Sequence, residues 1–325
     1  MIIGSIKETP SLETRTALTP KTTYELNSLG HTILLEKDIG KKSYFNNKDY
    51  LKSKAIFCSK SQIYQKSNII IQITPPPQKY LNLLSSKQIL ISNFTHNEHL
   101  LSKTKATIIR LEKVPRTSNL QSIDTLSSQA LTRGYNACLY ALSQSPTIAP
   151  LLFTPATSLP KSKALIFGAS ITGLEIASML KKNGANTSII DTSTKQAELV
   201  HSVGAKFIHL HPSTNLSSIL NDKDFIISAI TSHTLKHPPI LTTKDLKSLK
   251  SPSLLIDTTF SNIPIKSNFS QTSTYIFHRN PYFERLTPQT SSILFANNIL
   301  NLIKLITPTS INTTDLSAIS TMLHT

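Results

Sequence analysis

Residues 168–173, with the sequence GASITG, have the types and spacing of a phosphate-binding turn. An apolar stretch at 164–167 precedes them, and the helix-like sequence LEIASMLKKNG begins at the end of the turn. This order is typical of a dinucleotide site, because the N-terminus of a helix offers free N–H groups and a positive dipole end to a pyrophosphate. Gly168 permits the tight turn, and Gly173 permits close contact between helix and strand.

Position 170 of this turn is a serine, where the fingerprint normally has glycine. The Cβ of Ser170 can crowd a pyrophosphate, whereas its hydroxyl can donate a hydrogen bond to it, and the sequence leaves both effects open. The alternative is a strand–helix–strand unit whose glycines serve packing alone. We predict that five residues of the turn contact a dinucleotide: Gly168, Ser170, Ile171, Thr172 and Gly173.

Asp191 ends the next predicted strand, 18 residues after Gly173. An acid at this place accepts hydrogen bonds from the ribose hydroxyls of a dinucleotide, and it repels a 2′-phosphate. Asp191 is therefore predicted to bind the cofactor and to favour NAD(H) over NADP(H).

The composition limits the classes of protein to which the chain can belong. Its 325 residues are long enough for two domains, and two distant cysteines, Cys58 and Cys138, indicate a reducing compartment and no disulfide framework. The formal charge of +16 is spread along the chain without a dense run of lysine, so we predict no binding to nucleic acid. His209 and His211 alternate on one predicted strand without a third ligand in view, so we predict no metal site.

The order of predicted elements indicates an α/β protein. The first half alternates strands and helices, and Thr19 with Pro20 marks the start of a helix that stops at Gly30. A long helical stretch runs from about Ser122 to Ser145. Six strands in the second half predict a doubly wound sheet: KALIF, NTSIID, KFIHL, DFIISAI, SLLIDTT and STYIFH. The apolar run ILFANNILNLIKLI carries three Asn and a Lys, which predicts a buried amphipathic helix and not a membrane span.

Several segments carry a resemblance to one family. Residues 114–135, VPRTSNLQSIDTLSSQALTRGY, are similar to a loop of the proton-translocating NAD(P) transhydrogenases with the pattern V-P-R-x-x-x-x-Q-x-x-D-x-L-S-S. KETPSLETRTALTPKT, HSVGAKF and RLTPQTSSILFANNILNLIKLI also look like segments of this family. Over essentially its whole length the chain resembles the NAD(H)-binding alpha subunit of these enzymes and, more distantly, alanine dehydrogenase.

This resemblance implies a fold and its domains. Two Rossmann-like α/β domains, each with a parallel sheet, are expected to flank a cleft. We place the N-terminal domain at residues 1–127 with 290–325. The NAD(H)-binding Rossmann domain is placed at residues 128–289.

The resemblance also assigns roles in the loop at 114–128. Carried over by motif, Arg116, Gln121 and Asp124 are the expected catalytic residues, and these three with Ser127 are expected around the nicotinamide and its ribose. Gln121 would help to orient the NADP nicotinamide that a separate subunit offers. Hydride transfer between two nicotinamides needs no acid or base from the protein, because the cofactors carry the chemistry. The protein must bring the reacting carbons close together and exclude water.

The function implied by the resemblance is that of an NAD(H)-binding subunit of a proton-translocating transhydrogenase. It would pass hydride between NADH and NADP⁺, coupled to proton movement through a separate membrane component. The expected partners are an NADP(H)-binding subunit and a membrane-spanning component encoded elsewhere, and a homodimer is also implied. The expected location is the cytoplasm, peripheral on the inner membrane through the complex.

Two alternatives stay open. The sequence has no glycine after Gly204, and TSHTLKHPP and FSNIPIK stand where the family usually has glycine-containing loops. These departures are compatible with a non-catalytic structural or regulatory subunit. Alanine dehydrogenase is the less favoured alternative, because Thr74 stands at its lysine position and Thr95, next to His96, at its histidine position. Arg15 alone cannot both bind an amino acid and move its proton.

Overall fold

The chain folds into two compact α/β units. Met1–Gln129 with Arg285–Thr325 form the first unit, and Ala130–Glu284 form the second. The computed structural model describes residues 1–8, 12–95, 97–115, 117–230, 240–260, 262–307 and 322–324.

The described residues contain sixteen short strands and ten α-helices. The strands, in chain order, are β1 (Ile2–Ser5), β2 (Thr32–Glu36), β3 (Ile56–Cys58), β4 (Ile69–Ile71), β5 (Ile89–Ser92), β6 (Thr107–Arg110), β7 (Leu152–Phe153), β8 (Ser158–Leu159), β9 (Lys163–Phe167), β10 (Asn186–Asp191), β11 (Lys206–His209), β12 (Phe225–Ser228), β13 (Ser253–Asp257), β14 (Phe269–Gln271), β15 (Tyr275–Arg279) and β16 (Leu323–His324). The α-helices are α1 (Pro20–Ser28), α2 (Asn47–Lys52), α3 (Lys60–Lys66), α4 (Gln78–Leu81), α5 (Thr125–Gln144), α6 (Ile171–Lys182), α7 (Ala197–Ser202), α8 (Leu216–Leu220), α9 (Thr243–Lys247) and α10 (Pro288–Ile306).

The sheet of the first unit has the strand order β3-β2-β1-β4-β5-β6-β16. The first six strands are parallel, and β16 joins the edge antiparallel to β6. The chain reverses its direction of progress across the sheet between β1 and β4. In α/β sheets such a reversal leaves a crevice at the carboxyl ends of the strands, where ligands bind.

Apolar side chains cover both faces of this sheet. Ile69, Ile70 and Ile71 make up β4 and are all at most 1% exposed, which is the continuous hydrophobic run of a parallel strand covered on both sides. Phe295 and Ile299 of α10 belong to the core on one face, together with Ile69 and Ile71. Residues near the end of the chain therefore complete the core of the first unit.

Helix α1 begins and ends at the predicted residues. Thr19 caps it: the Thr19 hydroxyl accepts the N–H of Thr22, and the Thr22 hydroxyl accepts the N–H of Thr19. Pro20 occupies the first helical position, where its missing N–H costs nothing. Gly30, with a φ of +84°, follows the last turn. Both end signals read from the sequence are confirmed.

A buried carboxylate, Glu13, binds two arginines within the first unit. Glu13 is 1% exposed; its Oε1 accepts a hydrogen bond from Nε of Arg15 at 2.8 Å, and its Oε2 accepts one from Nε of Arg285 at 2.9 Å. Burial disfavours the ionised carboxyl, but the charge and hydrogen bonds of Arg15 and the charge of Arg285 outweigh it and hold the pKa of Glu13 below its ordinary value. Arg15 also donates to Oε1 of Gln129 on α5 at 2.8 Å. The network thus joins the N-terminal segment to α5 and to the residues before α10.

The sheet of the second unit has the order β11-β10-β9-β12-β13-β15-β14. Six of these strands are parallel, and β14 is antiparallel to β15. On the central strand β9, Ile166 pairs with Ile189 of β10 and with Ile227 of β12. The strand order reverses between β9 and β12. The turn at 168–173 directly follows β9 and therefore lies at this reversal. Strands β7 and β8 form a separate two-stranded antiparallel sheet.

The fold class predicted from the sequence is confirmed, because each unit has a mostly parallel sheet of the Rossmann strand order. The predicted long helix is α5, which starts later than expected because residues 118–123 form a 3₁₀ segment. The domain limits, 1–127 with 290–325 and 128–289, stay a prediction. Over the described parts of the chain, no helix is both long and apolar enough to cross a membrane.

We expect Glu13→Gln to lower the free energy of unfolding by about 3 kcal/mol, because it leaves the buried guanidinium of Arg15 and the partly buried one of Arg285 without their carboxylate. The loss should be present near pH 7 and shrink in acid. The folded-state pKa of Glu13 is depressed, so its contribution exists above the unfolded pKa and disappears as the pH falls through the folded one. Urea denaturation at several pH values measures it.

Glu98→Gln is the matched control, since Glu98 also pairs with an arginine but is exposed. Its Oε1 lies 2.6 Å from Nη2 of Arg110, and its side chain is 63% exposed. Exposed pairs of this kind contribute less than about 1 kcal/mol. If both substitutions changed the free energy of unfolding equally, the Glu13 network would stabilise the fold no more than an exposed ion pair does.

Candidate functional site

Two glycines shape the turn between β9 and α6. Gly168 has a φ of +98°, which L side chains rarely adopt, and a Cβ there would come within 2.8 Å of the Ile230 side chain. A Cβ at Gly173 would overlap the carbonyl oxygen of Gly168. Glycine at both positions therefore lets α6 start close to the carboxyl end of β9.

Ser170 is the N-cap residue of α6. Its Oγ accepts a hydrogen bond from the N–H of Gly173 at 3.2 Å and donates one to the carbonyl oxygen of Ala229 at 2.7 Å. A serine hydroxyl has one proton, and Ala229 takes it. Of the two effects left open for this side chain, donation of a hydrogen bond to a pyrophosphate is therefore not available in this arrangement.

Asp191 is held against the turn by two hydrogen bonds to backbone. Its Oδ2 accepts the N–H of Ala169 at 2.8 Å, and its Oδ1 accepts the N–H of Ser193 at 2.9 Å. Each carboxylate oxygen keeps a further lone pair, and the residue is partly exposed. The carboxylate is thus fixed in place with acceptors left for a pair of hydroxyl groups.

The backbone N–H groups of the turn fall into two sets. Three already have an acceptor. The N–H of Gly168 donates to the carbonyl oxygen of Ile190, that of Ala169 to the Asp191 carboxylate, and that of Gly173 to the Ser170 hydroxyl. Three others have no acceptor among the residues that the structure describes: Ser170, Ile171 and Thr172. Consecutive free N–H groups at the N-terminus of a 12-residue helix form a place that fits a pyrophosphate oxygen.

Thr172 offers only its backbone to a ligand. Its side chain is buried, and its Oγ1 donates to the carbonyl oxygen of Ala130 on α5 at 3.2 Å. Gly134 allows this close approach of α5, because a Cβ there would come within 2.8 Å of the Thr172 carbonyl oxygen. The side chain of Thr172 therefore packs α6 against α5.

The loop after β13 is ordered without the glycine pair that the resemblance leads one to expect. Asp257 is fully buried, and its Oδ2 accepts a hydrogen bond from Nε of Arg279 at 3.1 Å. Arg279 also donates to the carbonyl oxygens of Ile263 and Ile265, at 2.6 and 2.8 Å. A buried ion pair thus holds the backbone of this loop.

Asn262 ties the same loop to the end of β12. Its Nδ2 donates to Oγ of Ser228 at 2.9 Å and to the carbonyl oxygen of Ile230 at 3.0 Å. Side-chain hydrogen bonds therefore take the place of glycine in shaping the loop. The segment 231–239, in which the other missing glycines were noted, and Ser261 lie outside the described residues.

Three of the four residues predicted around the nicotinamide lie together in the first unit. Asp124 is 7% exposed; its Oδ1 accepts the N–H of Ser127 at 3.0 Å, and its Oδ2 accepts the Ser127 hydroxyl. This carboxylate therefore caps the N-terminus of α5. Gln121 is exposed, and its carbonyl oxygen accepts the N–H of Asp124 at 3.2 Å. Arg116 lies outside the described residues.

The predicted site residues thus form two groups, one in each unit. The group in the first unit consists of Gln121, Asp124 and Ser127. The group in the second unit consists of Gly168, Ser170, Ile171, Thr172, Gly173 and Asp191. The structure brings the members of each group together, and their roles toward a cofactor stay predictions.

Glu8 is a residue to which sequence reasoning assigned no role. It follows β1, and its carboxylate accepts hydrogen bonds from the N–H of Ile73 at 2.7 Å and from the N–H and hydroxyl of Thr74 at 3.1 and 2.6 Å. Loss of hydration raises the pKa of Glu8 to about 7 despite these bonds, with a further rise from Glu13. An acid just past the first strand of an α/β unit was the signal that could have identified it.

No group of three His, Cys, Asp or Glu side chains could hold a metal ion in the parts of the chain that the structure describes. Nε2 of His209 lies 3.1 Å from the carbonyl oxygen of Thr192, and Nδ1 of His211 lies 2.8 Å from Oγ of Ser213. Both histidines thus have ordinary polar neighbours.

Comparison with family models gives two matches. The model described as "Alanine dehydrogenase/PNT, N-terminal domain" matches residues 4–132, and the model described as "Alanine dehydrogenase/PNT, C-terminal domain" matches residues 137–325. The second match alone covers more than half of the chain.

Individual proteins similar to the chain include two named NAD(P) transhydrogenase subunit alpha. The one from Haemophilus influenzae is 25% identical over 340 residues, covering 94% of this chain and 66% of the relative. The one from Cereibacter sphaeroides is 31% identical over 216 residues, covering 65% of this chain and 41% of the relative. The chain thus spans less than two thirds of the length of either relative.

The solved structure of a transhydrogenase from Sinorhizobium meliloti is similar in fold. It superposes with a TM-score of 0.86 at 24% sequence identity, and the match covers 94% of each chain. At this identity the likeness supports the fold.

We expect Asp124→Ala to lower the free energy of unfolding by about 1 kcal/mol in the absence of any nucleotide, because it removes the cap of α5. Chemical denaturation of the ligand-free chain measures this change. Gln121→Ala is the control from the same segment, since an exposed side chain contributes less than about 0.5 kcal/mol. An unchanged free energy of unfolding for Asp124→Ala would contradict a stabilising role of this carboxylate as the cap of α5.

Glu8 should make stability depend on pH near neutrality. Its folded-state pKa is raised from 4.5 to about 7, so its contribution is complete below 4.5 and is lost as the pH rises through 7. Glu8→Gln lacks this loss, which we put on the order of 3 kcal/mol. Melting temperatures from about pH 5 to pH 8 should therefore fall more for the natural chain than for the variant. Parallel profiles would contradict the raised pKa.

Proposed function

We propose, since the chain belongs to the alanine dehydrogenase/PNT family, that it is the NAD(H)-binding part of an NAD(P) transhydrogenase. The family resemblance read from the sequence is confirmed by both family models. Two similar proteins carry the name NAD(P) transhydrogenase subunit alpha.

The observation that carries the proposal is the fit of the turn after β9 to a dinucleotide. Three N–H groups without an acceptor, among the residues described, stand at the N-terminus of α6. Gly173 lets the helix begin near the sheet, and Asp191 is bound to the same turn through Ala169. N–H groups suit the pyrophosphate, and a carboxylate with spare acceptors suits the adenosine ribose.

In this proposal the predicted site residues position the cofactor and do not take part in the bond changes. The bound nicotinamides would supply the hydride donor and acceptor. The turn at 168–173 would hold the pyrophosphate, and Asp191 would bind the ribose hydroxyls and exclude a 2′-phosphate by repulsion. Gln121 is exposed next to the capped start of α5 and would orient a carboxamide. Asp124 would act mainly by fixing the segment that carries Gln121. Arg116 and Ser127 stay proposed contacts of the nicotinamide and its ribose.

The proposed partners follow from the names of the relatives and from the resemblance. A protein named subunit alpha is one part of a complex. We infer that an NADP(H)-binding subunit presents the second nicotinamide and that a membrane-spanning component couples hydride transfer to proton translocation. The chain would then be cytoplasmic, peripheral on the inner membrane through this complex, and a homodimer.

The contacts of Arg15 disfavour alanine dehydrogenase activity. Its guanidinium binds the buried carboxylate of Glu13 through Nε and Nη2, at 2.8 Å each, and Gln129 through Nη1. At the expected lysine position, Thr74 donates to Glu8 instead. The cation that would bind an amino-acid carboxylate is thus engaged in holding the fold.

One feature favours a non-catalytic subunit as the second candidate. Asn262 and Arg279 tie the loop after β13 to neighbouring backbone, where glycines would leave it free to move. A loop that cannot close would leave NAD(H) bound without transfer. This candidate shares the cofactor and differs in the reaction.

Asp191→Ala should narrow the preference of the chain for NADH over NADPH. Loss of the carboxylate removes both its hydrogen bonds to the ribose and its repulsion of the 2′-phosphate, so we expect the ratio of the two Kd values to change by at least about tenfold. Fluorescence titration with each nucleotide gives this ratio. The ratio of Kd values is informative because general damage to the turn would weaken the binding of both nucleotides equally and leave the ratio unchanged.

Asp222→Ala is the control for this titration. Asp222 lies in the same unit, is partly exposed and pairs with Lys163 at 2.8 Å. Its loss should leave the ratio of Kd values unchanged. If the natural chain shows no saturable binding of NADH, the cofactor assignment is wrong.

Hydride transfer is tested by mixing the chain with an NADP(H)-binding transhydrogenase subunit and following nicotinamide absorbance. We expect transfer by the natural chain and a reduction of about tenfold or more by Gln121→Ala, whose NADH affinity and stability should change little. Saturable NADH binding without transfer would establish the non-catalytic candidate. Alanine-dependent formation of NADH by the chain alone would establish the dehydrogenase.

A further inference from the structure

Ser170 places a hydroxyl in the middle of the turn that is proposed to bind pyrophosphate. Its Oγ lies 3.2 Å from the nitrogen of Gly173 and 2.7 Å from the carbonyl oxygen of Ala229. A glycine at this position would make neither hydrogen bond. The serine therefore ties the turn both to the first turn of α6 and to the residue after β12.

The hydroxyl cannot donate to a phosphate while these two bonds are made. A serine hydroxyl has one proton and two lone pairs. Ala229 takes the proton, and the N–H of Gly173 takes one lone pair. What remains is a lone pair, which repels a phosphate oxygen because both atoms are acceptors.

The N–H of Gly173 is the donor that the serine withdraws from ligand binding. Gly173 is the third residue of α6, and the first N–H groups of a helix are the ones that have no partner within it. Without the serine cap, the N–H groups of four consecutive residues, 170–173, would be available to an anion. With the cap, three remain.

We propose that Ser170 lowers the affinity of this chain for dinucleotides, because its hydroxyl competes with pyrophosphate for the N–H of Gly173. The inference rests on the proposed binding of NAD(H) and adds to it a residue that sets the affinity. The same hydrogen bonds stabilise the turn without a ligand. Ser170 thus weakens dinucleotide binding and stabilises the conformation of the ligand-free turn.

Two variants separate the hydroxyl of Ser170 from its Cβ. Ser170→Ala removes the hydroxyl and keeps the Cβ, and Ser170→Gly removes both. Competition by the hydroxyl predicts tighter NADH binding for both variants. Crowding by the Cβ alone predicts tighter binding for Ser170→Gly only, and that result would overturn the inference.

The experiment is a fluorescence titration of the full chain and both variants with NADH. We expect the Kd of Ser170→Ala to fall about fivefold, equivalent to about 1 kcal/mol, because a charged phosphate replaces a neutral acceptor at Gly173. Ser170→Gly should tighten binding at least as much, since the backbone can then approach the pyrophosphate.

The melting temperature without NADH provides a second readout. Ser170→Ala should lower it, because the cap of α6 is lost. A lower melting temperature together with a lower Kd is the combination that a purely structural serine would not give.

Thr242→Ala is the matched control, because it removes another N-cap of the second unit. Oγ1 of Thr242 accepts the N–H of Asp245 at 3.2 Å at the start of α9. Its melting temperature should fall while its Kd for NADH stays unchanged. A tighter Kd for this variant as well would attribute the effect to general loosening and contradict the inference.

The outcomes distinguish this inference from the proposed function. If the natural chain binds NADH and Ser170→Ala binds it equally or more weakly, the inference is wrong and the proposed cofactor stands. If neither the natural chain nor any variant binds, the proposed cofactor is wrong and the inference fails with it. Binding by the two Ser170 variants alone supports the inference and contradicts NAD(H) binding by the natural sequence.

Discussion

The absence of a side chain at Gly173 decides where α6 begins. A Cβ at this residue would overlap the carbonyl oxygen of Gly168, so another residue would displace the N-terminus of the helix from the end of β9. The start of the helix carries the N–H groups that have no acceptor among the described residues, and the turn before it binds the carboxylate of Asp191. Both parts of the proposed cofactor site therefore depend on one close contact between backbone atoms. The Rossmann strand order matters here because it leaves this end of β9 uncovered by a neighbouring connection.

The first unit depends instead on a buried charge. Glu13 has almost no exposure to water and is stable as a carboxylate only because Arg15 and Arg285 surround it. The arginines lie 270 positions apart in the chain, so the network joins its beginning to the segment that leads into α10. Arg15, which in an amino-acid dehydrogenase would bind substrate, is thereby used for structure. The residues proposed to bind the cofactor therefore lie elsewhere, in the turn at 168–173 and in the segment before α5.

Features encoded by neighbouring residues were predictable. Thr19, Pro20 and Gly30 delimit α1 as expected, because caps and turn glycines act over three or four positions. The role of Asp124 as a cap of α5 is equally local, since its partner Ser127 is three residues away, and its place near the nicotinamide stays a prediction. Glu8 was missed for the opposite reason. Its partners, Ile73 and Thr74, are reached only through the pairing of β1 with β4.

The α/β class, the family and the positions of the turn and acid that are proposed to bind a nucleotide could all be read from the sequence. The class and the turn follow from the periodicity of apolar residues and from glycine spacing, which are local in the sequence. The family follows from the resemblance of residues 114–135 and of three further segments to the transhydrogenases. The contacts of Ser170 could not be read from the sequence and became known from the folded structure. The acceptor of its hydroxyl proton is the carbonyl oxygen of Ala229, 59 positions away and directly after β12. No local sequence pattern indicates that hydrogen bond. The serine is therefore a cap that binds the protein's own backbone, because the fold brings the end of β12 within hydrogen-bond distance of the turn.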